Sequence, residues 1–266
     1  MNSGGEIHTS TSLHAKAWAE EYELIDRQLS PLGLRAMAEL NLLPGETVFD
    51  IGCGTGQTLL QLADRVGEEG RIYGVDISRP LLDVAERRVS YRNSIRLIEG
   101  DAARLELPDS ADAVFSRFGV MAFDDPVAAF SNFRRALKPG GRLAFCCWRA
   151  LRDNELDRLP LIAAGFAGAA DETPFSFSDP DHVRSVLAAA GFKRIAIRPH
   201  DEAVTSGDVD AMTRVLMKIG PLGKIVRENP SIHSAVEPKL RTALADVGKG
   251  PDVALSASVW IVTASI

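Results

Sequence analysis

The chain has 266 residues, 45% hydrophobic and 25% charged, with a formal charge of −6. That suits one large globular domain, or one domain with a cap, with ample core of its own. The acidic balance argues against a phosphate-tracking partner, so no nucleic acid is expected; no apolar run reaches the roughly 18 residues of a membrane span, so no membrane is expected either.

The opening MNSGGEIHTSTSLHAKAW lacks the basic-then-apolar pattern of a secretory signal. Cys53, Cys146 and Cys147 form neither a disulfide framework nor a zinc spacing. A cytoplasmic protein is the expectation.

In chain order, residues 1–40 read as helical and precede any strand. GETVFDIG is a short buried strand, and QTLLQLADRV a helix with leucines at helical spacing. GRIYGVDI is the second strand. SRPLLDVAERRVSYR follows as a helix with Ser78 as cap and Pro80 in its first turn. SIRLIEGDA and ADAVFSRFG are the third and fourth strands. DPVAAFSNFRRALKPGG is a helix capped by Asp125 and stopped by Pro-Gly-Gly, and RLAFCCW is the fifth strand. Strand and helix alternate with short links, the signature of a Rossmann-like, doubly wound α/β sheet. The rhythm then breaks into helical segments near 151–178 and 205–250. Between them lie the helix DPDHVRSVLAAAGF and a sixth strand, KRIAIRP; VALSASVWIVTASI ends the chain as the seventh.

Gly52, Gly54 and Gly56 follow the first strand and open a helix. Each removes a Cβ where the backbone turns sharply or meets a ligand. The spacing is G-x-G-x-G rather than the G-x-G-x-x-G of dinucleotide enzymes, and Asp50 precedes it. A carboxylate there repels a pyrophosphate but accepts hydrogen bonds from an ammonium group. Asp76 ends the second strand, 26 residues on (76 − 50), and can accept from two ribose hydroxyls. Asp101 ends the third and can accept from an adenine amino group, with the Ala102 N–H facing a ring nitrogen. A cation, a ribose and a base with no need of phosphate describe S-adenosylmethionine. Ile77 would lie against the adenine or in the core. Gln57 and Thr58 would contact the cofactor's amino-acid end or cap the helix.

VFDIGCGTG, GVDIS, GDAARLELP and RRALKPGGRLAF together resemble the class I S-adenosylmethionine-dependent methyltransferases, and SRFGVMAFDDPVAAFSNFRRALKPGGRLAFCCWR is similar to a bacterial small-molecule subgroup. The match is firm over residues 45–150. The resemblance implies a seven-stranded sheet with its last strand antiparallel, cofactor roles for Asp50, Gly52, Gly54, Gly56, Asp76, Asp101 and Ala102, and cofactor or substrate contacts around Ser116. The expected reaction is methyl transfer to an oxygen or nitrogen of a small organic molecule. The alternative is an inactive cofactor-binding regulator of the same fold. Metal-dependent relatives need an acid at the end of the fourth strand; Arg117 stands there, so no metal is expected.

No catalytic pair is apparent. Weak candidates are His14, Arg117, His182 and His233; Arg117 could bind an acidic substrate group or form a surface ion pair. Trp18 and Tyr22, four apart, would share a helix face, either as core or as part of a lid over the cofactor formed by residues 1–40. The remainder, 41–266, reads as the methyltransferase domain. Met212, Val215, Leu216 and Ile219 would form an apolar face capping an acceptor pocket, or packing on a second subunit in a homodimer.

Overall fold

The computed structural model describes residues 13–108, 110–168, 171–248 and 250–266. Residues 13–20 are helical, and the chain continues as α1 (Tyr22–Ala38), β1 (Thr47–Ile51), α2 (Gln57–Val66), β2 (Arg71–Asp76), α3 (Arg79–Val89), β3 (Ile95–Glu99), β4 (Ala111–Arg117), α4 (Pro126–Ala136) and β5 (Leu137–Trp148). Then come α5 (Glu155–Ala164), α6 (Pro180–Ala189), β6 (Lys193–Gly207), α7 (Val209–Leu216), α8 (Gly220–Glu228), α9 (His233–Val247) and β7 (Val253–Ser265).

The strands form one seven-stranded sheet in the order β3-β2-β1-β4-β5-β7-β6. β1 to β5 pair in parallel, and β7 runs antiparallel to β5, as the sequence predicts. The central strands are covered on both faces, so they read as nearly continuous apolar runs: Val48, Phe49, Ile51, Val114 and Phe115 are all buried. α4 brings Phe130 against Phe133, Phe145, Phe177 and Phe192, with ring centroids 5.5–6.4 Å apart. Strand order reverses between β1 and β4, which opens a crevice at the carboxyl ends of the parallel strands.

Three local expectations change. The Pro-Gly-Gly stretch does not close a helix: α4 ends at Ala136 and β5 begins at Leu137, because Leu137 pairs with Ala111 before the register shifts. β6 runs on to Gly207, well past the expected strand. The Ser78 hydroxyl makes no cap bond; its backbone N–H donates to Asp76 instead.

The amino-terminal ends of the strands are tied by charges that neutralise one another. The Arg142 guanidinium holds both oxygens of Glu46, at 2.6 and 3.0 Å. Lys138 and the Thr47 N–H share Asp112, each at 2.8 Å.

Two compact units divide the chain. Described residues up to Pro31, with Leu151–Glu172 and Asp201–Ser258, form a mainly helical unit; Leu32–Ala150, Thr173–His200 and Val259–Ile266 form the other. The sequence drew these limits at residue 40, at 151–178 and at 205–250; the first unit boundary, after Pro31, falls inside α1. In the helical unit, buried Glu21 takes Arg214 and Lys218, both at 2.6 Å. Met212, Val215 and Leu216 are buried along α7, whereas Ile219 lies beyond its end and caps α8.

Asp157 is the unexpected group of this unit. It stands in the first turn of α5, where an acid commonly reaches back to its helix cap. It is only 7% exposed, and a Cβ on Gly220 would lie 2.8 Å from its Oδ1. Burial pushes its carboxyl up to about 7. An acid whose folded value is raised holds its proton in the native state while the unfolded chain releases it near 3.8. Stability is therefore lost as pH rises from about 4 to about 7, at about 1.4 kcal/mol per unit. Asp157→Asn should gain on the wild type by about 3 kcal/mol between pH 5 and pH 8. Urea unfolding at the two pH values measures this, and an unchanged difference would show the carboxylate to be compensated.

Candidate active site

The loop after β1 lies beside the point where strand order reverses. Gly52 takes φ of +69° and touches the turn after β4: a Cβ there would lie 2.6 Å from the Gly119 Cα. Gly54 takes φ of +54°, yet its missing Cβ would meet nothing within 4 Å. The first glycine lets two backbones touch; the second leaves an open face. Gly56 ends the loop as the N-cap of α2.

Asp50 lies on β1 beneath this loop and is completely buried. Its Oδ2 accepts from the Thr58 hydroxyl at 2.5 Å, and its Oδ1 has no partner among the described residues. Burial raises its carboxyl to about 7; the Thr58 bond and the Arg117 charge oppose that rise, and Asp76 adds to it. A buried carboxylate oxygen without a donor is costly, and a cation or strong donor placed beside it recovers that cost.

Asp76 ends β2. Its Oδ2 accepts from the Gly54 N–H and its Oδ1 from the Ser78 N–H, both at 2.8 Å. Burial raises its carboxyl too. Each carboxylate oxygen has two lone pairs, so these bonds fasten the acid without exhausting it. Ile77 is 68% exposed, which removes the core alternative. Asp101 accepts from the Ala103 N–H at 2.9 Å and pairs with Arg104 at 3.4 Å. Ala102 is buried, and its carbonyl accepts from the Asn132 amide at 2.9 Å.

The side chains expected at the amino-acid end have defined partners. Thr58 is bound to Asp50 rather than capping α2, and Gln57 accepts from the Arg117 guanidinium. Ser116 is wholly buried; its hydroxyl donates to the Ile51 carbonyl at 2.7 Å and accepts from the Gly119 N–H at 3.1 Å. That side chain ties β1 to the turn after β4, leaving backbone as its means of meeting a ligand.

Trp18 and Tyr22 belong to the helical unit and are separated by a bend at Glu21. Trp18 packs edge-on against His14 at 5.6 Å, and the Tyr22 hydroxyl donates to Glu23. Burial, helped by the Arg227 charge, lowers His14 to about 4. It stays neutral at physiological pH, but its conjugate acid is far from the value that suits a general base there. His182 is exposed against Phe177, and His233 is exposed on α9 at 3.6 Å from Glu237. No group of His, Cys, Asp and Glu suited to a metal ion occurs among the described residues.

One feature was not legible in the sequence. Phe118, directly after β4, takes φ of +62°. For a bulky residue that conformation costs on the order of 1–3 kcal/mol. Its ring stacks on Trp148, the last residue of β5, with centroids 4.1 Å apart and planes 15° from parallel. Both residues are half-buried at the carboxyl ends of neighbouring strands. The available signal was an aromatic-glycine pair at a strand end, which by itself is common.

A family model described as a methyltransferase domain matches residues 49–145. The demethylmenaquinone methyltransferase of Deinococcus radiodurans is 31% identical over 198 residues, covering 66% of this chain and 81% of that protein. Its counterpart from Staphylococcus saprophyticus is 29% identical over 181 residues, covering 62% and 77%. Phosphoethanolamine N-methyltransferase 2 of Haemonchus contortus, solved with S-adenosyl-L-methionine, has the same fold with a TM-score of 0.56 at 18% identity, covering 88% of this chain and 52% of that one.

The residues present fit S-adenosylmethionine. It carries the kind of positive charge that an orphaned buried carboxylate oxygen lacks, and it needs an open backbone such as Gly54 offers. Because the ionised form of Asp50 attracts an ammonium group, affinity for S-adenosylhomocysteine should rise by up to about tenfold between pH 6 and pH 8. Binding below pH 7 should release a proton. Asp50→Asn should bind weakly at every pH. Calorimetry in buffers of different ionisation enthalpy reads both effects, and a flat wild-type profile would refute the link to Asp50.

Proposed function

Because the chain belongs to the class I S-adenosylmethionine-dependent methyltransferases, we propose that it moves the cofactor's methyl group to a small organic acceptor carrying a flat ring. In this reading the unpartnered Oδ1 of Asp50 receives the cofactor's ammonium group. Asp76 receives the ribose hydroxyls, Ile77 covers the adenine, and Asp101 with Ala102 meets the edge of the base. The orphaned Asp50 oxygen is the observation that carries the cofactor part; the exposed isoleucine directly after Asp76 supports the rest.

When bound, the cofactor supplies a methyl group already activated by a sulfonium charge. The chain's own contribution is alignment and exclusion of water. Asp50 and Asp76 hold the donor at two points, and the rigid turn after β4, tied down by Ser116, sets where the acceptor meets it. No strong base is then required for an amine that arrives neutral or a hydroxyl that arrives ionised.

The stacked Phe118 and Trp148 rings support a planar acceptor, since flat rings gain about 0.5–1.5 kcal/mol from aromatic stacking beyond the area they bury. The accepting atom is an oxygen or a nitrogen in the first reading. The quinone in the name of the relatives favours a second, transfer to a ring carbon.

Formation of S-adenosylhomocysteine should be followed with a panel of hydroquinones, phenols and flexible aliphatic amines, and the product's methyl position read by NMR. Turnover confined to the ring compounds is expected. Trp148→Leu should raise their KM by up to about tenfold while leaving S-adenosylhomocysteine affinity nearly unchanged. Turnover of the aliphatic amines alone would overturn the planar acceptor.

A further inference from the structure

A cofactor held by its positive ends also has a negative one. The α-carboxylate of S-adenosylmethionine sits on the same carbon as its ammonium group. If that ammonium meets Asp50, the carboxylate lies close to two acids, buried Asp50 and half-buried Asp76, whose charges already oppose one another. Such a group needs a cation within reach.

Arg117 is placed to serve. Asp50 is the direct neighbour of Phe115 in the β1–β4 ladder, and Arg117 lies two residues beyond Phe115. Directly paired residues share a face of the sheet, and so do alternate residues of one strand. Asp50, Phe115 and Arg117 therefore point the same way, with the guanidinium toward the carboxyl end. Its charge is felt at Asp50. The stem of Arg117 is fixed by packing: a Cβ on Gly33 of α1 would lie 2.8 Å from its Cδ. Its tip donates to Gln57 at the start of α2. A guanidinium presents five N–H donors in a plane and can serve Gln57 and a carboxylate together. Arg88, the other arginine at the loop, donates to the Thr55 carbonyl at 3.0 Å.

We propose that Arg117 binds the α-carboxylate of the methyl donor, so that the donor's zwitterionic end is held between Asp50 and Arg117, with Gln57 and Gly33 setting the guanidinium's position. The inference rests on the methyl-donor reading of the site. It makes Arg117 a cofactor-positioning residue rather than a contact for an acidic substrate.

Three ligands separate the outcomes by calorimetry on the full chain. They are S-adenosylmethionine, decarboxylated S-adenosylmethionine, which keeps the ammonium, and 5′-methylthioadenosine, which lacks the amino-acid end. Wild type should prefer S-adenosylmethionine to its decarboxylated form by tenfold or more. Arg117→Met should abolish that preference and leave 5′-methylthioadenosine binding within about twofold. Arg117→Lys should restore part of the preference. Gly33→Ala, which keeps the arginine but displaces its stem, should reduce the preference in the same direction, and it serves if Arg117→Met does not fold. Equal loss for all three ligands, or an unchanged preference in both variants, would overturn the assignment. Failure of the wild type to bind any of the three would instead sink the methyl-donor reading.

Discussion

The Asp50 carboxylate is buried in the middle of a parallel sheet, one oxygen bonded to Thr58 and the other without a donor. Taking a charge out of water there is unfavourable by several kcal/mol unless something of opposite sign approaches. The surroundings moderate the cost without removing it: Thr58 and Arg117 favour the ionised form, while burial and Asp76 oppose it. The rest of the carboxyl-terminal edge is organised around this group. Gly52 and Gly119 let the loop after β1 and the turn after β4 touch directly above it. Ser116 bolts that turn to β1. Asp76 reaches from β2 to pin the Gly54 N–H. The outcome is a rigid frame around a carboxylate with one oxygen left without a donor.

The two ends of the sheet handle charge in opposite ways. At the amino-terminal end Arg142 meets Glu46 through both oxygens, and Lys138 meets Asp112. These are partly buried, geometrically matched pairs, the kind that contribute to stability. At the carboxyl-terminal end Asp50 and Asp76 are both raised by burial. A fold selected only for stability would replace such acids. Retaining them fits an edge where ligand binding, rather than folding, supplies the compensating charge. The same logic explains Phe118: a left-handed phenylalanine is unfavourable locally, and its stack on Trp148 offers a flat surface at the strand ends.

Membership of a family determines cofactor chemistry far better than acceptor chemistry, because the cofactor contacts lie in the shared sheet and the acceptor contacts do not. The fold-level resemblance to a phosphoethanolamine enzyme and the closer sequence relation to demethylmenaquinone enzymes involve very different acceptors. The acceptor must therefore be argued from side chains. Phe118 and Trp148 are the specific observation for it in the sheet-bearing unit. The helical unit has its own chemistry in Asp157, a buried acid next to a glycine that could not be replaced without moving it.

What the sequence determined by itself is what depends on neighbours in the chain. Apolar runs named the strands, helical spacing named the helices, and an acid, a glycine trio and two further acids at successive strand ends named the cofactor. Each of these is a local pattern, and the three acids are linked only by each standing at the end of its own strand. What only the tertiary structure decided depends on partners far apart in sequence. Leu137 left the helix side of the Pro-Gly-Gly stretch because Ala111 was there to pair with it. Thr58 and Gln57 do not cap α2 because Asp50 and Arg117 reach them across neighbouring elements. Gly33 gained meaning only beside Arg117, and Gly220 only beside Asp157. Burial, close approach and charge coupling are properties of packed surfaces, and a linear pattern carries the residues that will pack but not the distances at which they meet.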